Sequence, residues 1–483
     1  MRSARRTVLA GCTAAAAVAA LVGLAPASSA DTTGPDTSYL VLAPQGQSTA
    51  LAAGRVAAAG GAVVAAYDQI GVLVARSTNT AFDTAVVGRG VESVASTDGL
   101  GTTLIHDEIV ETVDSAAVEA AGDPTGEPLW SSQWDMAQID VPAAHAVTTG
   151  DPSIVVGVLD SGIDATHPDL ATQVAKDQSA SCLGGVADPS EAAWSPTTSS
   201  HGTHVAGTIA AAINGVGIAG VAPGVKVASV KVVNDDGFIF PEAAICGFLW
   251  AADHGMPITN NSYFIDPWEF NCVNDPRQRP VWQAVQRALN YSTAEGTLTV
   301  ASAGNSNVDL QHKFIDAASP NDGSYPVEDR TITGACRDLP AEAPGVVTVS
   351  AVGPTEQKSY YSSYGQGVVD VTAPGGDTRF RTGGVSSTIT DAVLSTIPGG
   401  GYGWSQGTSM AGPHAAGVAA LALSAHPGVK AGQLAAFLER TATPLECPDG
   451  VYEPRPGWPA TCIGGERNGF YGAGNVNAFN AVQ

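Results

Sequence analysis

Three short blocks of this chain hold an acid, an imidazole and a hydroxyl in settings where a nucleophilic serine could work. Asp160 follows the apolar run Ile154–Leu159 and precedes Ser161-Gly162. His201 opens His201-Gly202-Thr203-His204-Val205-Ala206-Gly207, a glycine-punctuated entry into an Ala-rich helical stretch. Ser409 lies in Gly407-Thr408-Ser409-Met410-Ala411-Gly412-Pro413-His414, a turn leading into another such stretch. The chemistry needs a hydroxyl beside a neutral imidazole, and an acid that fixes the imidazole's tautomer and stabilises its charged form. A serine at a helix N-terminus also offers its backbone N–H to developing negative charge. Each block alone has a plainer reading: a turn aspartate, a structural histidine, an N-capping serine.

Other chemistries fit less well. His201 and His204 form H-x-x-H, but a zincin helix spaces its histidines at i and i+4 with a glutamate beside the first. His204 therefore reads as support behind His201. Ala411 stands where the nucleophile elbow Gly-x-Ser-x-Gly requires glycine, which argues against an α/β-hydrolase. Pro413 predicts a kink, or a later start, in a helix beginning at Ser409. With 22 basic against 46 acidic residues the formal charge is −24, and no run of Lys or Arg occurs after residue 6. A phosphate-neutralising surface needs such runs, so nucleic acid is excluded as a partner.

Elements that could position these residues are legible around them. From about 129 onward, unalternating apolar runs (Ile154–Leu159, Val225–Val233, Ile258–Asn261, Thr297–Ala301, Val346–Val352) alternate with Ala-rich helical stretches. Such runs predict parallel strands buried on both faces, right-handed crossovers and a three-layer α/β domain with functional side chains at strand carboxyl ends. Residues 36–98 carry β-rich runs at Tyr39–Leu42, Ala62–Tyr67, Gly71–Ala75 and Gly90–Ala95, with helical composition near 48–59 and 79–88. That βαββαβ order predicts a small ferredoxin-like α+β module. Residues 99–128, with the turn Asp123-Pro124-Thr125-Gly126, read as a linker.

The first 30 residues read as an export signal: Arg2, Arg5 and Arg6, then the apolar run Val8–Leu24, then Ser28-Ser29-Ala30 before Asp31. The run is Ala-rich and ends at the small-residue site, so no stable membrane anchor is expected. Arg5-Arg6 leaves both the general and the twin-arginine route open. Setting Cys12 aside, six cysteines remain (182, 246, 272, 336, 447 and 462), an even number that outside the cell suggests up to three disulfides. No CxxC pair is present to hold zinc.

Ordered blocks carry a family resemblance. Asp160-Ser161-Gly162-Ile163-Asp164, His167-Pro168-Asp169-Leu170, the His201 block, Gly220-Val221-Ala222-Pro223, Ala303-Gly304-Asn305, Ala373-Pro374-Gly375, the Ser409 block and Tyr471-Gly472-Ala473-Gly474 resemble those of the subtilisin-like serine peptidases, over roughly 134–480. The resemblance implies Asp160, His201 and Ser409 as the triad and Asn305 as the oxyanion donor. It implies a secreted, self-inhibited endopeptidase acting on proteins or peptides as a monomer, with no cofactor for catalysis and 129–483 as the catalytic domain. Residues 36–98 resemble the family's inhibitory propeptide, an intramolecular partner released by cleavage between about 99 and 128. Matching segments for the cleft walls are Ser262-Tyr263-Phe264 and Ser302-Ala303-Gly304; Phe264 stands where glycine is usual, either narrowing the first pocket or packing as ordinary wall. Two insertions, Asp266–Arg279 and Val308–Asp338, should border that pocket, which suggests a Cys272–Cys336 bridge at its rim. Cys447 would then pair with Cys462 and Cys182 with Cys246. Asp169 and Asn214 match calcium ligands in relatives, with the loop Ile213–Gly220 adding carbonyls, although Asp169 also reads as a turn residue.

Overall fold

The computed structural model describes residues 33–97, 109–113, 126–317, 319, 329–378 and 391–483; the segment expected as an export signal and most of the expected linker lie outside them. The small N-terminal module consists of β1 (Thr33–Leu42), α1 (Ala50–Ala58), β2 (Gly61–Tyr67), β3 (Val72–Asn79), α2 (Phe82–Ala85) and β4 (Ser93–Ser96). Its antiparallel sheet runs β2-β3-β1-β4, the ferredoxin-like order. The strand β5 (Ile109–Val113) was not foreseen in the linker.

The large domain is built on seven strands. These are β6 (Val155–Asp160), β7 (Ala180–Ser181), β8 (Lys226–Lys231), β9 (Ile258–Asn261), β11 (Leu298–Ser302), β13 (Val346–Val352) and β14 (Val371–Pro374). Their order is β14-β13-β11-β9-β6-β8-β7, and every pair is parallel. Between β9 and β13 an antiparallel ribbon, β10 (Phe270–Cys272) with β12 (Cys336–Asp338), stands apart from the main sheet. A hairpin of β15 (Val393–Ile397) and β16 (Gly401–Ser405) takes β5 as its third strand.

The strands read as unbroken apolar runs because helices cover both faces. On one face α3 (His201–Ala210) and α6 (Thr408–Ala425) bury Val205, Ile209, Met410, Val418 and Leu421 against Val156, Val158, Val300 and Val349. The apolar residues of α6 go all round, as befits a helix buried from Thr408 to Ala422. On the other face α4 (Pro241–Asp253) and α5 (Arg279–Glu295) set Phe248, Leu249, Val285 and Leu289 against Leu159, Val230 and Ala301.

Strand alternation explains how the two domains meet. Tyr39, Val41, Leu73 and Ala75 face the module's own helices, where they pack with Ala52 and Val56. Leu40, Leu42, Val72 and Val74 point the other way and join the core beneath α4 and α5. An antiparallel sheet commonly leaves one face to water, and this one buries both. Arg287 fastens the seam, donating to Ala43 O at 2.9 Å and pairing with Glu92 at 2.8 Å. Tyr67 adds a bond to Gly185 O at 2.6 Å.

All three expected disulfides are formed: Cys182–Cys246, Cys272–Cys336 and Cys447–Cys462. Cys272–Cys336 joins directly opposed residues of the β10–β12 ribbon and closes a sequence separation of 64. Cross-linking a span of that length restricts the unfolded chain, so the double variant Cys272→Ser/Cys336→Ser should lose about 2–4 kcal/mol of stability. The shift of the denaturant midpoint between the two proteins measures it.

Candidate active site

Strand ends bring the chemistry together. Asp160 is the last residue of β6, His201 the first of α3, and Ser409 lies in the first turn of α6. All three, with Asn305, line one cleft of about 780 Å³. His201 Nδ1 is 2.8 Å from Asp160 Oδ1. An ionised carboxylate can only accept, so Nδ1 carries the proton and Nε2 is the basic nitrogen of the neutral ring. Asp160 Oδ1 also accepts from Ser161 N at 2.6 Å, which fixes the carboxylate at 1% exposure. Gly202 lets the helix come this close: a Cβ there would sit 2.5 Å from Gly162 O and 3.0 Å from Asp160 Oδ1.

Ser409 is held by a reciprocal exchange with Ser262. Ser262 Oγ donates to Ser409 O at 2.9 Å, and Ser409 Oγ donates to Ser262 O at 3.4 Å. The first bond explains Pro413. A proline has no N–H for the carbonyl four residues back, and that carbonyl is Ser409 O. Ser262 supplies the missing donor, so α6 starts at Thr408 and runs through Pro413, contrary to the expected later start.

Asn305 is oriented by a residue that sequence reasoning overlooked. Thr408 donates to Asn305 Oδ1 from both its backbone N (2.9 Å) and its hydroxyl (2.8 Å). With Oδ1 occupied, the Nδ2 donor is the end of the amide left for the cleft. The only sequence signal was a hydroxyl adjoining the nucleophile. His204 Nε2 bonds Gly403 O at 3.0 Å, tying α3 to β16, as a supporting residue should. His414 likewise binds Asp135 at 2.9 Å and Met410 O at 2.7 Å, deep in the core.

Of the six residues expected as cleft walls, five border this cleft. Ser262, Tyr263, Phe264, Ser302 and Gly304 line the cleft, while Ala303 is fully buried behind it. Tyr263 donates to Asn261 Oδ1 at 3.1 Å, and burial, with Asp160 nearby, pushes its hydroxyl well above the usual phenol range. Three further acids in the lining, Asp266, Glu269 and Asp338, come from the insertions noted for their cysteines. Burial, then Asp316, raises Glu269 to about 7; burial, then Glu269, raises Asp338 well above the carboxylate range.

Asp169 and Asn214 meet, but as hydrogen-bond acceptor and donor. Asp169 Oδ1 accepts from Asn214 Nδ2 at 3.3 Å; Oδ2 accepts from Ile218 N at 3.2 Å and Tyr402 Oη at 2.9 Å. Glu127 Oε1 accepts from the N–H groups of Asn214 and Gly215 at 2.6 and 2.7 Å. Calcium needs six to eight oxygens turned toward it. Here Asn214 presents its N–H to Asp169 while its own oxygen accepts from Val216 N, so these residues do not fit a calcium cage.

Fold and cleft together define the class: a three-layer α/β domain on a parallel sheet, of the subtilisin-like serine peptidase type. The subtilase family profile matches residues 151–473, and the chain belongs to that family of serine endopeptidases, whose catalysis needs no cofactor. Subtilisin NAT of Bacillus subtilis subsp. natto is 34% identical over 316 residues, covering 65% of this chain and 67% of that protein. Fervidolysin of Fervidobacterium pennivorans is 31% identical over 329 residues, covering 66% of this chain and 41% of its own greater length. Among solved structures, the epidermin leader peptide processing serine protease (EpiP) of Staphylococcus aureus shares the fold at a TM-score of 0.68. That match has 20% identity and covers 92% of this chain and 98% of the other.

Two outcomes follow from this geometry. Asn305→Ala should lower kcat by about 10²–10³, a range that comes from subtilisin itself, and Thr408→Val should lower it in the same direction by less. Steady-state kinetics on one peptide substrate measures both. A chelator should leave the melting temperature unchanged, since hydrogen bonds hold the Asp169 cluster; a fall on adding EDTA would contradict this.

Proposed function

We propose that this protein is a secreted serine endopeptidase made as a self-inhibited precursor. Ser409 Oγ attacks the scissile carbonyl as His201 Nε2 takes its proton, forming a tetrahedral oxyanion. Asn305 Nδ2 and the Ser409 backbone N–H receive that charge. As the intermediate collapses to the acyl-enzyme, His201 returns the proton to the leaving amine; water then repeats the cycle in reverse. Asp160 holds the imidazole's tautomer and stabilises its charged form throughout. The observation that carries this reading is the 2.8 Å His201–Asp160 bond in the same cleft as Ser409 and Asn305.

The precursor reading assigns 1–30 to an export signal, 36–98 to the inhibitor, 99–128 to the processing region and 129–483 to the catalytic domain. It is supported by the second buried face of the small sheet, where Leu40, Leu42, Val72 and Val74 are complementary to α4 and α5. Full burial of such side chains is worth roughly 1.5–3 kcal/mol each, enough to hold a cleaved module in place. Three disulfides suit an oxidising compartment. Among the described residues no helix is long and apolar enough to cross a membrane.

A phosphonofluoridate should label the native protein at Ser409 and leave Ser409→Ala unlabelled. N-terminal sequencing of the two exported proteins should find a new terminus within 99–128 in the native protein and an uncut precursor in Ser409→Ala. Absence of labelling in the native protein, with folding intact, refutes the catalytic reading.

A further inference from the structure

Beside Asn305 the cleft carries a pair of buried acids that acyl transfer does not use. Glu269 and Asp338 line it at 4% and 2% exposure. Both are set by the disulfide-braced ribbon, in which Asp338 lies opposite Phe270, the residue after Glu269. Gly304, the residue before Asn305, places Asp338 relative to the reacting centre. A Cβ built on Gly304 would lie 3.5 Å from Asp338 Oδ2, and the backbone there has φ +93°. The carboxylate thus lies directly behind a wall segment one residue from the candidate oxyanion donor.

Nearby cations offset only part of what burial does to this pair: Arg330 pulls Glu269 down and Lys313 pulls Asp338 down, each less than burial raises it. Lys313 and Arg337 both pair with Glu342, and Arg330 pairs with Asp316. Neither Glu269 nor Asp338 forms an ion pair among the described residues, and Asp338 Oδ1 is buried with no hydrogen-bond partner. The Ser306 hydroxyl bonds Glu269. Arg455 is the one Lys or Arg among the described lining residues, and its guanidinium is stacked on Trp458 at 4.4 Å and Tyr360 at 5.4 Å.

A buried acid without a partner is costly, and a substrate cation would relieve it. Guanidinium and ammonium groups bring five and three donors respectively and no acceptor. An apolar side chain in the same place would leave Asp338 Oδ1 buried and unbonded, which penalises it relative to a basic one. In the empty cleft burial and mutual repulsion favour protons on the two acids; an entering cation favours their release and ionisation.

We propose that Glu269 and Asp338 are specificity-determining residues that bind a basic side chain, so that the enzyme cuts after arginine or lysine. The proposal rests on Ser409 being the nucleophile, and the test separates the two. Peptide p-nitroanilides identical except for Arg, Lys, Phe or Leu before the anilide are compared by kcat/KM, with phosphonofluoridate labelling of Ser409 run in parallel. The native enzyme should favour Arg or Lys over Phe by about 10² or more, and Asp338→Asn should shrink the Arg:Phe ratio by a similar factor. Glu269→Gln should shrink it in the same direction, and decides the matter if Asp338→Asn does not fold. Intact labelling with Phe or Leu preferred overturns this inference alone. So does a parallel fall of the Arg and Phe values in the folded variants, the mark of a purely structural role. Lack of labelling overturns the catalytic reading beneath it.

Discussion

The bond between His201 and Asp160 constrains everything around it. A carboxylate 1% exposed destabilises the fold unless donors reach it, and it can do nothing but accept. Asp160 therefore needs donors delivered to the end of β6, and these are Ser161 N and the imidazole Nδ1–H. Delivering the imidazole requires α3 to begin against the strand end, which only a glycine at 202 allows. Ser161 closes the arrangement by accepting from Gly202 N at 3.0 Å. The tautomer that leaves Nε2 basic is thus a consequence of how the acid is buried.

The nucleophile is held by an equivalent economy of donors. Pro413 denies Ser409 O its helical partner, and Ser262 fills the vacancy from the end of β9, so the wall of the cleft is hydrogen-bonded to the backbone of the nucleophile. Thr408, the preceding residue, holds Asn305 from the end of β11. Two adjacent residues of one helix turn therefore set the positions of two strand ends. Movement of α6 would disturb Ser409, Ser262 and Asn305 together, so its surface, buried from Thr408 to Ala422, helps to hold the cleft in shape.

The strands, and the three blocks whose residues meet in the cleft, were legible because each leaves a local mark. A strand buried on both faces is an apolar run, and Val346–Val352 was read with the same bounds it has in the structure. Asp160, His201 and Ser409 sit in blocks whose glycines and small residues are demanded by close backbone approach. The small module was legible in order, although its second helix shrinks to Phe82–Ala85 because β3 extends to Asn79. What escaped was non-local. Ile109–Val113 is β-branched enough to be a strand, but only the open edge of β16 makes it one. The donor for Ser409 O lies 147 residues away in sequence, and nothing near Pro413 announces it. Asp169 and Asn214 were found as neighbours, yet which end of the Asn214 amide faces the carboxylate depends on Val216 N, a contact no motif encodes.

The acids beside Asn305 mark the sharpest limit of local reading. Glu269 and Asp338 are separated by a long insertion, and each looks like a surface charge among many in a chain of net charge −24. Their meaning comes from register. Once Cys272 opposes Cys336, Asp338 must oppose Phe270; Glu269 lies one residue outside the ribbon, and both acids line the cleft. The insertion brings its own cations, but Lys313, Arg337 and Arg330 are consumed by Glu342 and Asp316. A charge count over the segment would therefore miss the two acids in the cleft, because acids in ion pairs and acids outside them count alike. Phe264 had drawn attention as the departure from the family pattern, yet an aromatic wall only limits width. The electrostatic character of the pocket is set by residues that resemble nothing until the disulfide has paired them.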